Sequence, residues 1–113
     1  MTVLDQGHEY LLDSLDGEQE NRLVFVKREG ERYPGNVGSH PGTTTQEVLR
    51  ACLDRLRYVQ DQQDCPETRL AIHFVSQTII TLEERAARLH GRTLDGLHRS
   101  EILSGASKCK ACG

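Results

Sequence analysis

Two long amphipathic runs, residues 44–63 and 67–90, joined only by Asp64-Cys65-Pro66, constrain this chain more than any other feature. A link that short makes the second run double back on the first as an antiparallel helical hairpin. Thr44 and Glu47 stand in T-x-x-E register, the pattern of a capping box, and mark where the first helix starts. Val48, Leu49, Cys52, Leu53, Leu56 and Val59 then recur at helical spacing and define one apolar face. Tyr58 falls at the edge of that stripe, and Arg50/Asp54 and Arg57/Asp61 are i,i+4 pairs of opposite charge. Asp64 and Glu67 repeat the box before the second helix, where Pro66 fits the first turn. Leu70, Ala71, Phe74, Val75, Thr78, Leu82, Ala86 and Leu89 mark its expected buried stripe. Ile79 and Ile80 widen the stripe beyond one partner helix, which points to a second copy. Gly91 is placed to end the helix in a left-handed conformation.

Ahead of the helices, residues 8–12 and 23–27 read as strands on either side of the polar stretch 16–21. They predict a β-hairpin over about 8–28, which needs other surface to pack on, since two strands alone are marginal in water. Residues 30–42 hold four Gly and two Pro, which rules out a regular element. They match no phosphate-loop fingerprint, so an ordered connector is the expectation. After Gly91, Leu94, Leu97, Ile102 and Leu103 suggest a docking segment with a turn of helix after Ser100. The fold class expected is therefore α+β: one domain over 1–104, with a β-hairpin, a glycine-rich loop and the helical hairpin, then a flexible tail over 105–113.

Only 36% of residues are hydrophobic and there is no Trp, so one copy buries a thin core. Self-association is the usual remedy, and a homo-oligomer is expected. The net charge of −3 argues against DNA or RNA as partners. No apolar run is long enough to span a membrane, and residues 1–10 lack the pattern of a signal peptide. Four Cys without an export signal predict thiols in a reducing, cytoplasmic compartment.

Candidate chemistry is sparse. Cys109 and Cys112 form one C-x-x-C, half of a tetrahedral zinc site, with His90 and His98 at unfamiliar spacing. No nucleophile–base–acid set stands out around Ser39-His40 or Ser76, and His73 reads as a helix-interface residue. Glu83 and Glu84 project about 100° apart on a helix, so they do not form a catalytic pair. A non-enzymatic protein without a cofactor is expected. The remaining signal is Arg85, Arg88 and Arg92 at i, i+3, i+7, with Arg99 beyond. Near a helix C-terminus this is either a solvated basic face or a phosphate clamp. Tyr58 would supply a stacking platform, but it sits at the hinge end, so a second copy is needed to bring it to the arginines.

The stretch Gly42-Thr43-Thr44-Thr45-Gln46-Glu47-Val48-Leu49-Arg50, then Asp54-Arg55-Leu56, then 82–92 (LEERAARLHGR), resembles small phage-encoded proteins. These are the Thoeris anti-defence family and the related anti-CBASS family, which share a helical-hairpin domain. The resemblance spans roughly residues 42–92, and the β portion before the hairpin makes the Thoeris type the nearer match. It implies a non-enzymatic sponge that sequesters cyclic nucleotide immune signals: glycocyclic ADP-ribose variants, or cyclic di- and trinucleotides. It also implies homo-oligomers, commonly hexamers, in the host cytoplasm. By position it puts a base-stacking aromatic at Tyr58, a polar contact at Thr68 and a phosphate-binding arginine at Arg85. Where relatives often carry Arg-Glu-Asn, this chain has Pro66-Glu67-Thr68. Two readings stand beside it: a protein-interaction module using the wide apolar stripe, and a zinc-binding regulator built on Cys109 and Cys112.

Overall fold

The computed structural model describes residues 1–105, which separate into a β unit, Met1–Thr44, and a helical unit that begins at Thr45. The chain is α+β, with an antiparallel sheet at its N-terminus followed by helices.

The sheet has three strands in the order β1 (Thr2–Asp5), β2 (Glu9–Leu12), β3 (Asn21–Val24). β2 and β3 are the expected hairpin. β1 is an addition that the sequence reading, which began its first strand at residue 8, missed. Thr2 pairs with Leu11 and Val3 with Tyr10, and then a bulge brings Asp5 opposite Glu9. Tyr10 also pairs with Leu23, and Glu9 with Val24. Side chains alternate along a strand and paired residues share a face. Met1, Val3, Tyr10, Leu12 and Leu23 therefore lie on one apolar face, which Phe25 joins through an edge-on ring contact with Tyr10. The bulge turns Asp5 to the opposite face, beside Glu9.

β3 stops earlier than expected. Beyond Val24 the chain pairs with the returning glycine-rich segment, Phe25 with Thr43 and Lys27 with His40. The connector is ordered: Asn36 Nδ2 donates to Arg28 O at 2.7 Å, and Gly38 N donates to Glu29 Oε1.

α1 (Thr45–Gln62) and α2 (Pro66–Leu89) pack on one another, and α3 (Arg99–Ser104) packs on α2. Leu53 on α1 and Ile79, Ala86 and Ala87 on α2 are buried, together with Ile102 on α3. The expected stripe on α2 is rotated. Ile79 is 0% exposed and belongs to the core of a single copy, so it is not the mark of a second. Leu70 and Phe74 instead stand 54% and 59% exposed, Leu89 and Thr78 are exposed too, and Ser76 and Glu83 are buried in their place. His73, expected at a helix interface, is exposed beside Phe74.

The expected Asp64 capping box does not form. Cys65 is the N-cap residue of α2, without a side-chain cap. Its thiol donates to Glu67 Oε2 at 3.0 Å, and this bond holds the Glu67 carboxyl below its ordinary range. At the other end Gly91 takes φ 64°, and Arg92 N donates to Ala87 O at 2.7 Å. That six-residue wrap satisfies a terminal carbonyl of α2. His98 and Glu101 cap α3 reciprocally, and Gly105, assigned to the tail by sequence, is its left-handed C-cap at φ 92°.

Candidate functional site

Arg50 does not pair with Asp54, as its spacing suggested. It turns inward from the second turn of α1. Its Nη2 donates to Glu83 Oε1 at 3.1 Å and to Ile102 O at 3.0 Å, and its Nε donates to Leu103 O at 3.0 Å. Glu83 is 2% exposed. One guanidinium thus ties α1 to the far end of α2 and to the last turn of α3. The α1 start and α2 end meet there, so the two helices run in opposite directions. Arg50 and Glu83 belong to the two short motifs that carry the family resemblance. In this chain both are structural.

The exposed neighbours of Glu83 present different chemistry. Stepping 100° per residue around α2 from buried Ile79 puts Leu70, Phe74, Thr81, Arg85 and Arg88 on the outward side. That side has an apolar end near the hinge and a basic end near Leu89. Arg88 and Arg92 line an open depression of about 550 Å³ with Glu84, Ala87, Thr93, Leu94 and Asp95. Its floor is Ala87, buried and small, and its far wall is the turn in which Asp95 N donates to Thr93 Oγ1 at 3.1 Å. Arg85 is exposed one turn before Arg88 and does not line the depression. Among the described residues, neither Arg85 nor Arg88 has an ion-pair partner.

Tyr58 and Thr68 lie elsewhere. Tyr58 is exposed on α1, with the Arg55 guanidinium 5.7 Å from its ring centroid, and its hydroxyl accepts from Gln62 Nε2 at 3.1 Å. Thr68 is half-buried in the first turn of α2. Seventeen residues of helix separate Thr68 from Arg85, roughly 26 Å of axis at 1.5 Å per residue. A single copy therefore brings Arg88 and Arg92 together, with Arg85 next to them, and leaves Tyr58 and Thr68 at the opposite end.

A second polar cluster escaped the sequence reading. On the polar face of the sheet, Lys27 Nζ lies 2.9 Å from Asp5 Oδ2, and His40 Nε2 lies 3.6 Å from Glu9 Oε1 and 3.9 Å from Asp5 Oδ2. His8 meets His40 edge-on at 5.9 Å, and Arg22 pairs with Glu9 at 3.4 Å. The six residues from Asp5 to His40 are spread over 36 positions, so no local spacing could reveal them. The ammonium of Lys27 occupies the cation position beside Asp5. Among the described residues no group of three or more His, Cys, Asp or Glu is arranged to hold a metal. Cys109 and Cys112 lie outside the described residues.

The hydrogen bond from Lys27 holds the Asp5 carboxyl below its ordinary range; burial opposes it, and the charges of Lys27, His8 and His40 add to the lowering. The folded value is thus below the unfolded one. Asp5 contributes stability above the unfolded value, and that contribution is lost as pH falls through the folded value. The expected result is an Asp5 carboxyl resonance that titrates below that of a denatured reference in a carbon-detected NMR titration. In Lys27→Met the Asp5 resonance should move back toward the reference; an unchanged midpoint would assign the shift to something other than the ammonium.

The chain matches no family model, no curated protein and no solved structure. No helix among the described residues is long and apolar enough to cross a membrane.

Proposed function

We propose that this protein binds and sequesters cyclic nucleotide immune signals, glycocyclic ADP-ribose or cyclic oligonucleotides, without cleaving them. It acts as a phage anti-defence sponge in the host cytoplasm. The observation that carries the reading is the basic end of α2, where Arg85 and Arg88 have no ion-pair partner among the described residues and Arg88 and Arg92 line one depression. Guanidinium groups present planar forks that match phosphate oxygens in pairs. A sponge needs no turnover. It lowers the free concentration of a messenger, so affinity and copy number set its effect.

The same reading makes the protein a homo-oligomer. Exposed Leu70 and Phe74 leave apolar area on α2 that a second copy would cover. A neighbouring copy would also bring Tyr58 and Thr68 to the arginine end that their own chain keeps them from. Tyr58 then stacks on a base while Arg85, Arg88 and Arg92 hold the phosphates.

Calorimetry against cyclic di- and trinucleotides and cyclic ADP-ribose isomers, with light scattering for mass, tests the proposal. The expected result is an assembly larger than one chain that binds at least one ring and releases it chemically unaltered on heating. In the double variant Arg85→Ala/Arg88→Ala the affinity should fall by at least ~10-fold, the scale of one lost hydrogen bond to a charged group. A monomer indifferent to the whole panel would overturn it. The exposed Leu70 and Phe74 also favour a second reading, a protein-interaction module. In that case Arg85→Ala leaves function intact and Phe74→Glu abolishes it.

A further inference from the structure

The outward side of α2 carries a stripe whose chemistry reverses from one end to the other. The midpoint of the helix falls between Gln77 and Thr78. Stepping about 100° per residue from there, Glu67, Leu70, Phe74, Thr81, Arg85 and Arg88 all fall within about 30° of one direction. All six are exposed. We propose that this stripe is the docking face for α2 of a second copy, packed antiparallel about a two-fold axis that passes beside Gln77 and Thr78. The inference rests on the homo-oligomer of the proposed function, and it adds the face, the direction and the register.

The order of residues along the stripe selects the partner. Positions 67, 70, 74, 77 and 81 alternate steps of three and four, the seam pattern of two packed helices. From the hinge onward the seam reads acid, aliphatic, aromatic, small, cation, cation. An antiparallel copy reads it backwards about the midpoint. Glu67 of one copy then meets Arg88 of the other, and Leu70 meets Arg85, each contact occurring twice by symmetry. A parallel copy would set Glu67 on Glu67, Arg85 on Arg85 and Arg88 on Arg88, all like-charge clashes. The cations are free for this role, since neither Arg85 nor Arg88 has an ion-pair partner among the described residues. Glu67 accepts from the Cys65 thiol through Oε2, and an ionised carboxylate has further acceptor positions for a guanidinium.

The middle of the stripe suits close approach. Thr78 Oγ1 donates to Phe74 O at 2.9 Å, and Thr81 Oγ1 donates to Gln77 O at 2.8 Å. Both hydroxyls are thus satisfied within α2, so covering them leaves no donor unmet. Phe74, 59% exposed, comes level with Thr81 of the other copy, a large side chain facing a small one. Helical side chains lean toward the N-terminus of their own helix. Arg85 of the other copy therefore leans back toward the level of Thr81, which carries its guanidinium over the Phe74 ring, an attractive arrangement for a cation. Its aliphatic stem covers Leu70, 54% exposed. The same packing sets the hinge end of one copy beside the arginine end of the other, the juxtaposition that Tyr58 and Thr68 need.

A charge exchange tests face and direction together, read by sedimentation equilibrium of the full chain at low salt. The parent should assemble in an even number of copies. Glu67→Arg and Arg88→Glu should each weaken assembly by at least ~10-fold, because each turns two exposed ion pairs into repulsions. Mixed in equal amounts, the two variants should associate as tightly as the parent, since every Arg then meets a Glu. The doubly substituted Glu67→Arg/Arg88→Glu should assemble as well. Rescue on mixing is a result that a misfolded variant cannot give. Phe74→Glu should keep its helical circular dichroism and become monomeric. A parent that stays monomeric, or assembles in an odd number, overturns the inference. An assembly that neither single variant weakens, or that mixing does not rescue, also overturns it: the copies then meet elsewhere, and the homo-oligomer of the proposed function stands. The cyclic-nucleotide titration is read separately. A two-fold assembly that passes the charge exchange but binds no ring upholds the inference and removes the sponge.

Discussion

Arg50→Ala lowers the unfolding free energy of the helical unit by about 3–5 kcal/mol, the cost of leaving one member of a buried ion pair without the other. Three losses combine. Glu83, almost wholly inaccessible, keeps a charge with no counterion at hydrogen-bond distance. The carbonyls of Ile102 and Leu103 lose their side-chain donors. The end of α3 loses its tie to α1. A urea titration followed by helical circular dichroism measures the first effect. Amide exchange in α3 measures the last, and it should accelerate more than exchange in the middle of α2. Glu83→Gln keeps the shape and one acceptor, so it should cost less than Arg50→Ala. The double variant Arg50→Met/Glu83→Leu removes both charges and fills the space. Such replacements are often neutral or stabilising, so it should recover most of the loss. If the double variant is as unstable as Arg50→Ala, the pair is not what the single substitution breaks.

This pair also explains how far the sequence could be read. The two helices, their short link, the Gly91 terminus and the β2–β3 hairpin were legible because each is written in local spacing. The facing of α2 was not. Leu70, Phe74 and Leu89 are apolar at helical intervals and imitate a buried stripe as well as Ile72, Val75, Ile79 and Leu82 do. The choice between the stripes rests on Ser76, Glu83, Ala86 and Ala87. Small residues let α1 and α3 approach, and Glu83 is admitted only because Arg50, 33 residues earlier, meets it. A pattern based on hydrophobicity counts Glu83 as surface. Likewise Arg50 and Asp54 satisfied the i,i+4 rule, but that bond is worth only a few tenths of a kcal/mol, and a buried partner with two carbonyls outcompetes it.

The candidate site was legible in part for the same reason. Arg85 and Arg88 share the last turns of α2, so spacing placed those two together, whereas Arg92 lies past the end of the helix and reaches Arg88 through the turn after Gly91. Glu84 and Asp95 were passed over: Glu84 looked like half of a failed carboxylate pair, and Asp95 lies past Gly91, where periodicity ends. The depression exists because the chain wraps back after Gly91, and that wrap is a backbone event. The Asp5–Lys27–His40 cluster was invisible for a stronger reason, since it depends on sheet register and on the return of the glycine-rich segment.

That return makes Gly42 the most demanding position in the β unit. A Cβ there would lie 2.4 Å from the Phe25 carbonyl carbon, 2.5 Å from Val26 N and 2.7 Å from Val24 O. All three are backbone atoms of the strand that Gly42 crosses, so no side chain can swing away to make room. Relief requires the two chain segments to separate. The bonds that bind them are Thr43 N to Val24 O and Val26 N to Thr43 O, each 2.9 Å. Gly42→Ala must therefore stretch these, with Lys27 N to His40 O next in line at 3.0 Å. The expected cost is about 1–3 kcal/mol, the scale of overpacking into a filled space. It should appear in the β unit as lost amide protection at Val26, Lys27 and Thr43. Gly38→Ala supplies the control: it meets no atom within 4 Å and is strained only through its φ of +81°, so Val26 and Thr43 should stay protected. Equal deprotection in both variants would mean that the glycines serve chain flexibility alone. Loss confined to Gly42→Ala would show that the segment is held by direct backbone contact, and because His40 hangs from the same segment, its approach to Asp5 and Glu9 should be lost with it.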